Sequence, residues 1–376
     1  MAVIFNTQIA ENRLLFSHTN NVVRFTTDTT TKTILNAKIT FNGVEVVLYP
    51  SPRGVFYFNF KEYISSIINQ IDLADNQNIN IDSLGYIYDN TNNVYLDSTA
   101  LFTIYFTDET FETSTKSYKW LLGVVQVEEY KKKVPLNQEI QTPTVLVNSY
   151  DSTYLKYWEG YPFDISIYTG VSSSLLVQNQ TNLLSHEFTT LYKVNRLFLS
   201  DGRTDVSLED LIPLVDGTNK LKLTSNTFYS YLYLEKVEAQ CDGFYFKFLN
   251  SFGGWSYWFF NYGAITRSTK NQGDIFNDFE NLNETVSKYK QIGKDAQDQL
   301  KVQTEVLSKD ELYVIQDILE SPKVYLFTGD KYAKNNYNDW VEVLVKDSTY
   351  NIKNPKNIQT QLFFNVELPQ RNTIQL

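Results

Sequence analysis

The chain has 376 residues, more than one ordinary domain core accommodates, and its formal charge of −10 argues against a sequence-independent grip on nucleic acid, which depends on Lys and Arg neutralising phosphates. Apolar content is ordinary at 42%, yet Tyr (27) and Phe (25) are abundant while Met and Cys occur once each, a balance that favours pleated, half-buried strands. The single cysteine, Cys241, excludes an intrachain disulfide framework and a multi-cysteine zinc site, and reads as a small buried hydrophobe.

Met1 to Asn20 is interrupted by Asn6, Gln8, Glu11, Asn12 and Arg13, so it lacks the apolar core of a signal peptide, and no run approaches the roughly 18 apolar residues of a membrane-spanning helix. Further on, Ala37 to Phe41, then Asn42-Gly43, then Val44 to Tyr49 places two residues that tolerate positive φ between β-rich runs, which predicts a tight hairpin. Pro50, Pro52 and Gly54 stop the strand, Val55 to Phe60 starts another, and Tyr63, Ile64, Ile67 and Ile68 fall at the spacing of a short helix. Strand-like runs at Ala100 to Phe106 and Tyr118 to Tyr130 bracket a polar Asp108 to Lys116 turn. These elements predict an N-terminal β-sandwich module over residues 1–130.

Residues 131–143 are polar, open with Lys131-Lys132-Lys133 and carry Pro135 and Pro143, the composition of a linker between compact units. Beyond it, Thr144 to Val147, Phe163 to Tyr168, Glu187 to Leu199 and Phe228 to Val237 are strand-like and separated by Asn, Ser, Asp and Gly. They predict a second β-sandwich module over 144–239.

A third module, 240–376, opens on the most aromatic stretch: Gly243 to Leu249, a turn at Asn250 to Gly254, then Trp255 to Phe260. Alternation puts Phe244, Phe246 and Phe248 on one face, but Tyr245 and Leu249 make the other face apolar as well, so this hairpin needs cover on both sides. After a polar stretch, Ser308 and Glu311 form a capping box, Leu312, Ile315 and Leu319 line one face, and Ser321-Pro322 closes the helix. Strands follow at Lys323 to Phe327, Trp340 to Val345 and Thr360 to Leu368. The whole reads as mainly β: two sandwich-like modules, then a small barrel or sheet with one packed helix over 308–320.

The chain lacks the common phosphate, dinucleotide, hydrolase and zinc-protease motifs, so no cofactor is expected. Its two histidines, His18 and His186, sit in a polar run and before a strand, and read as surface or turn residues rather than as bases or ligands. Carboxylates cluster at Asp201, Asp205, Glu209 and Asp210 and again at Asp274, Asp278 and Glu280, with Trp255 and Trp258 as conceivable sugar platforms. Paired carboxylates suffice for glycoside hydrolysis, but clusters of this kind also serve turns and solubility.

The run Cys241 to Phe260, Phe41 to Phe56, and Leu300 to Tyr313 continuing through Leu319 to Tyr325 resemble tail proteins of bacteriophages infecting Bacteroidetes. The last of these looks like the strand-helix-strand of distal-tail and baseplate-hub proteins. That resemblance implies a non-enzymatic virion subunit, made in the host cytoplasm and built into a tail ring with copies of itself and other tail proteins. Phe244, Phe246, Phe248, Trp255, Tyr257 and Trp258 are then the candidate subunit interface. Two other readings stay open: a glycan-binding adsorption module, motivated by the Trp and Tyr content, and a carboxylate-dependent glycosidase.

Overall fold

The computed structural model describes residues 2–11, 13–69, 71–79, 86–125, 152–169, 174–189, 192–203, 212–225, 228–238, 243–276, 289–346 and 361–374. Of these residues 57% are strand and 9% helix, far from the third or so of helix in an average globular protein. The chain is mainly β, as its aromatic and β-branched composition implies. The linker at 131–143, the strand at 144–147 and Cys241 fall outside the described residues.

In the first module a three-stranded sheet, β1 (Val3–Thr7), β3 (Val22–Thr27) and β6 (Phe56–Asn59), faces a five-stranded one. The latter runs in the order β2 (Leu14–Phe16), β9 (Phe111–Leu121), β8 (Tyr95–Phe106), β4 (Ile34–Phe41) and β5 (Val44–Leu48). Asn42 (φ 45°) and Gly43 (φ 79°) make the expected hairpin turn between β4 and β5. Inward residues of both sheets interlock: Phe25 stacks on Phe56 at 5.2 Å and meets Phe102 edge-on at 5.2 Å. Helix α1 (Lys61–Ile68) buries Ile64 and Ile68 in the same core. One expectation fails, because the polar turn is shorter than Asp108 to Lys116. Strand β9 already begins at Phe111, and its Glu112 is buried with Thr27 and Thr29 hydroxyls donating to it at 2.6 Å. Alternating Thr and Ser on a half-exposed strand look like loop in sequence although β-branched Thr suits a strand.

The second module pairs β7 (Ile87–Asp89), β14 (Val194–Asp201) and β11 (Pro162–Tyr168) in one sheet. A five-stranded sheet contains β10 (Ser152–Trp158), β16 (Phe228–Val237), β15 (Gly217–Ser225), β12 (Leu175–Asn179) and β13 (Leu184–Phe188), in that order. The run Glu187 to Leu199, expected as one strand, divides between β13 and β14, which lie in different sheets. Strand β7 comes from within residues 1–130 yet pairs with β14 over Asn195↔Asp89 to Leu197↔Ile87, so the sheets cross the expected module boundary. Every residue of β11 and β14 is buried, which is why these strands lack a simple alternation.

The third sheet has seven strands, in the order β18 (Trp255–Phe260), β17 (Phe244–Leu249), β21 (Val324–Phe327), β22 (Trp340–Val345), β23 (Phe363–Glu367), β20 (Tyr289–Gln303) and β19 (Tyr262–Phe276). Among the described residues the α-helices besides α1 are α2 (Thr91–Val94) and α3 (Lys309–Ile315), the latter continuing as a 3-10 turn over Gln316–Leu319. Its capping box is formed as expected: Ser308 Oγ accepts from Glu311 N, and Ser308 N donates to the Glu311 carboxylate at 2.7 Å. Ile315 is fully buried, and Leu312 and Leu319 pack against the core beside buried Val314 and Ile318. One connected cluster of buried apolar side chains runs through all three modules.

Candidate functional site

The aromatic hairpin forms in the register Phe244↔Phe260 to Leu249↔Trp255. Its cover comes from the chain itself. Phe246 and Phe248 are fully buried, Trp255, Tyr257 and Trp258 are nearly so, and only Phe244 of the six candidates is half-buried. Trp258 packs edge-on against Trp158 of β10 at 5.2 Å, Tyr257 packs on Phe163 of β11 at 5.2 Å, and Phe260 meets Phe364 of β23 at 5.4 Å. The turn is fixed just as firmly. Asn250 Oδ1 accepts from Phe252 N and Gly254 N at 3.0 Å, and Val124 N of the first module donates to Ser251 O at 2.6 Å. Gly253 (φ +79°) is required there, since a Cβ would lie 2.0 Å from Leu122 O. The six residues therefore form an internal joint, which corrects the expectation that their second layer comes from a neighbouring subunit.

The same hairpin contributes to a buried ionic network that the sequence did not reveal. Arg196 of β14 donates to both carboxylate oxygens of Asp164 of β11, at 2.9 and 2.8 Å, and to Asp75 at 2.7 Å. Lys247 of β17 donates to the other Asp75 oxygen at 2.8 Å, and the Tyr257 hydroxyl donates to Asp164. Two cations balance two anions, and all four side chains are at most 6% exposed. Burial alone would raise the Asp75 carboxyl, but the charges of Arg196 and Lys247 outweigh it and hold the group well below the usual carboxylate range. Burial, against the pull of Asp75, lowers Lys247, whose ammonium also lies 4.4 Å from the centre of the Trp340 ring. Residues distant in sequence meet here, so no local motif could announce the site. The one available signal was Lys247, a lone cation inside an aromatic strand.

Other predicted residues do not converge. His18 is half-buried with Ser17 Oγ 2.9 Å from its Nδ1, burial and then Lys61 lowering its pKa, and the His186 ring lies 4.7 Å from that of Phe188. Asp201 is buried and accepts from its own loop's Arg203 at 2.7 Å, whereas Asp205, Glu209, Asp210, Asp278 and Glu280 are outside the described residues. Trp255 and Trp258, being buried, are not sugar platforms. Among the described residues no three His, Cys, Asp or Glu side chains gather to hold a metal ion, and no helix is long and apolar enough to cross a membrane.

The open surface lies at the opposite end of the seven-stranded sheet. Strands β19 and β20, 15 residues each, pair from Tyr262↔Gln303 to Phe276↔Tyr289. Strand β23 pairs with β20 only over Gln299 to Gln303. Outward of an isolated bridge at Ala296 the two strands form a ribbon in which, among the described residues, each pairs only with the other. Strand β19 is exposed on both faces almost throughout and ends the sheet, and among the described residues no strand pairs with its outer backbone edge. This stretch reads as polar and non-periodic because neither face is buried, so no alternation is imposed on it.

No protein family and no curated protein matches this chain. Among solved structures it is similar to the fibronectin(III)-like modules of Clostridium thermocellum CbhA, at 6% identity over 64% of this chain and 96% of that one, with a TM-score of 0.20. It is similar also to titin A168–A169, at 9% identity over 63% and 100% with a TM-score of 0.27. A tetra-tandem repeat from the extending region of a large adhesion protein aligns at 11% identity over 80% and 55%, with a TM-score of 0.22.

Proposed function

We infer that this chain is a structural subunit of a bacteriophage tail and acts by assembling with copies of itself, the open edge of β19 being the contact. The observation that carries the reading is the β19–β20 ribbon. A two-stranded ribbon is marginally stable in water, and an unpaired edge is a template on which another strand can add. Charge permits a second copy as the partner. The two strands hold a surplus of two cations, which Asp278, Glu280, Glu284 and Lys288 between them cancel, so the arm over 262–303 is neutral and the −10 rests on the remainder of the chain. A neutral arm can meet an acidic body without the like-charge repulsion that opposes contact between two bodies. The resemblance of the strand, helix and strand at Leu300 to Tyr325 to distal-tail and hub proteins supplies the tail context, and a ring is the closed form that head-to-body contact takes.

The test replaces residues 270–295 with an Asn-Gly turn, which shortens the ribbon and leaves the pairing of Thr269 with Ala296 and the bridge of Ala296 to Arg371. Light scattering after size exclusion is expected to show an oligomer for the intact chain and a monomer for the shortened one, with melting within about 3 °C, since the described residues of the removed segment are mostly exposed. A shortened chain that still assembles, or an intact chain that stays monomeric at the highest soluble concentration, refutes the reading.

A further inference from the structure

We propose that the outward face of the five-stranded sheet in the second module is a platform for an acidic polysaccharide. Strand β16 alternates strictly there: Leu232 and Leu234 point into the core and are fully buried, while Tyr229, Tyr231 and Tyr233 point outward, Tyr229 being 53% exposed. Three tyrosines at two-residue spacing give a ladder with a step of about 7 Å along the strand, and the rings of Tyr229 and Tyr231 lie 5.5 Å apart.

The neighbouring strand β15 sets two lysines beside this ladder, Lys222 opposite Tyr231 and Lys220 opposite Tyr233. Their ammonium groups lie 4.9 Å from the Tyr229 ring centre and 4.4 Å from that of Tyr231. Among the described residues neither lysine makes a salt bridge. In a chain of formal charge −10, two such lysines on an aromatic face mark a place for an anion that the chain itself does not supply. The nearest other charges lie at the two sides of the face. At one end Lys156 bridges Glu235 and Glu311, and Tyr154 donates to Glu235, so those carboxylates are already engaged. On the far side, Glu187 lies beyond Leu176 and Gln178 of β12.

Aromatic bodies with polar tips stack on the apolar faces of sugar rings, and the hydroxyls of Tyr and Thr224 and the amide of Gln178 can bond to sugar hydroxyls. Two ammonium groups fit a carboxylate every one or two sugars. They are too few for a nucleic acid strand with a phosphate at every step, which calls for a groove lined with cations. The site is separate from the ribbon, so it stands or falls independently of the assembly reading, and it differs from the tryptophan platform, which is buried.

The test measures binding of polygalacturonate, alginate and chondroitin sulfate by affinity electrophoresis and calorimetry, with neutral dextran and an oligothymidylate as controls. The expected result is binding to at least one acidic polysaccharide, weakened about tenfold by Tyr231→Ala and by Lys222→Gln, and weakened by salt, with melting unchanged in both variants. Tyr231→Phe should retain most of the affinity. Absence of binding to all three acidic polymers overturns the proposal. So does equal binding to dextran, tighter binding to the oligonucleotide, or affinity that survives the double change Tyr231→Ala and Lys222→Gln.

Discussion

Replacing Trp258 by Ala distinguishes an internal joint from a subunit contact. The side chain is 4% exposed, packs on Trp158 at 5.2 Å and has the Lys156 ammonium 5.7 Å from its ring centre. A tryptophan buries about 150–250 Å² of surface, which at about 25 cal/mol per Å² gives an upper estimate of about 4–6 kcal/mol. Measured tryptophan and phenylalanine truncations in cores cost about 3–5 kcal/mol. Trp258→Ala is therefore expected to destabilise the protomer at least as much as Ile315→Ala, for which about 2–5 kcal/mol applies. Denaturant unfolding followed by circular dichroism on dilute protein avoids both the lost fluorophore and any contribution from assembly. An interface anchor would behave differently, losing about 2 kcal/mol or more of association free energy while the protomer stays intact. If Trp258→Ala and Trp255→Ala leave the protomer within about 1 kcal/mol of the parent and dissolve an oligomer, the placement of this hairpin inside the chain is refuted.

Two further outcomes follow from the buried network. Arg196→Met leaves Asp164 and Asp75 buried without their shared cation and should cost about 3–5 kcal/mol by the same denaturant assay; a loss under about 1 kcal/mol would show those carboxylates to be solvated. Asp75 has its pKa held below the unfolded value of about 3.9, so its contribution is fully present above that value and is lost as pH falls toward the folded one. Melting of the parent should thus drop steeply below about pH 4, and Asp75→Asn, weaker at pH 7, should show a shallower drop when melting is followed from pH 7 to pH 3.

Much of the fold is written in local chemistry. The Asn42-Gly43 turn, the Ser308–Glu311 capping box and the aromatic strands β17 and β18 each satisfy a rule that operates within a few residues, and each forms where expected. What could not be read depends on distance. Strands β11 and β14 are buried on both faces, β19 on neither, and in both cases the alternation that identifies a half-buried strand is missing. Pairing of β7 with β14 joins residues more than 100 positions apart, and the network of Asp75, Asp164, Arg196, Lys247 and Tyr257 draws on all three modules. The aromatic hairpin's need for cover on both faces was legible. The identity of the cover was not, because a neighbouring subunit and the chain's own β10, β11 and α3 satisfy the same hydrophobic requirement.

That distinction bears on how such a chain can associate at all. A subunit that is synthesised free and assembled later must stay soluble in between, and a face carrying Phe246, Phe248, Trp255 and Trp258 would form an apolar patch large enough to aggregate. Enclosing those rings removes the hazard and leaves association to surfaces that water can satisfy in the meantime. In the assembly proposed above the edge of β19 is of that kind, because its outer N–H and C=O groups can bond to water before assembly and exchange those bonds for a neighbour's backbone on assembly. The charges of Arg267, Lys270 and Asp274 on this edge strand would keep it from pairing indiscriminately, since a partner must match them. Specificity then resides in charge and register while the buried rings supply protomer stability, so changes at Ile265 or Lys270 should act on assembly and changes at Trp258 or Ile315 on folding.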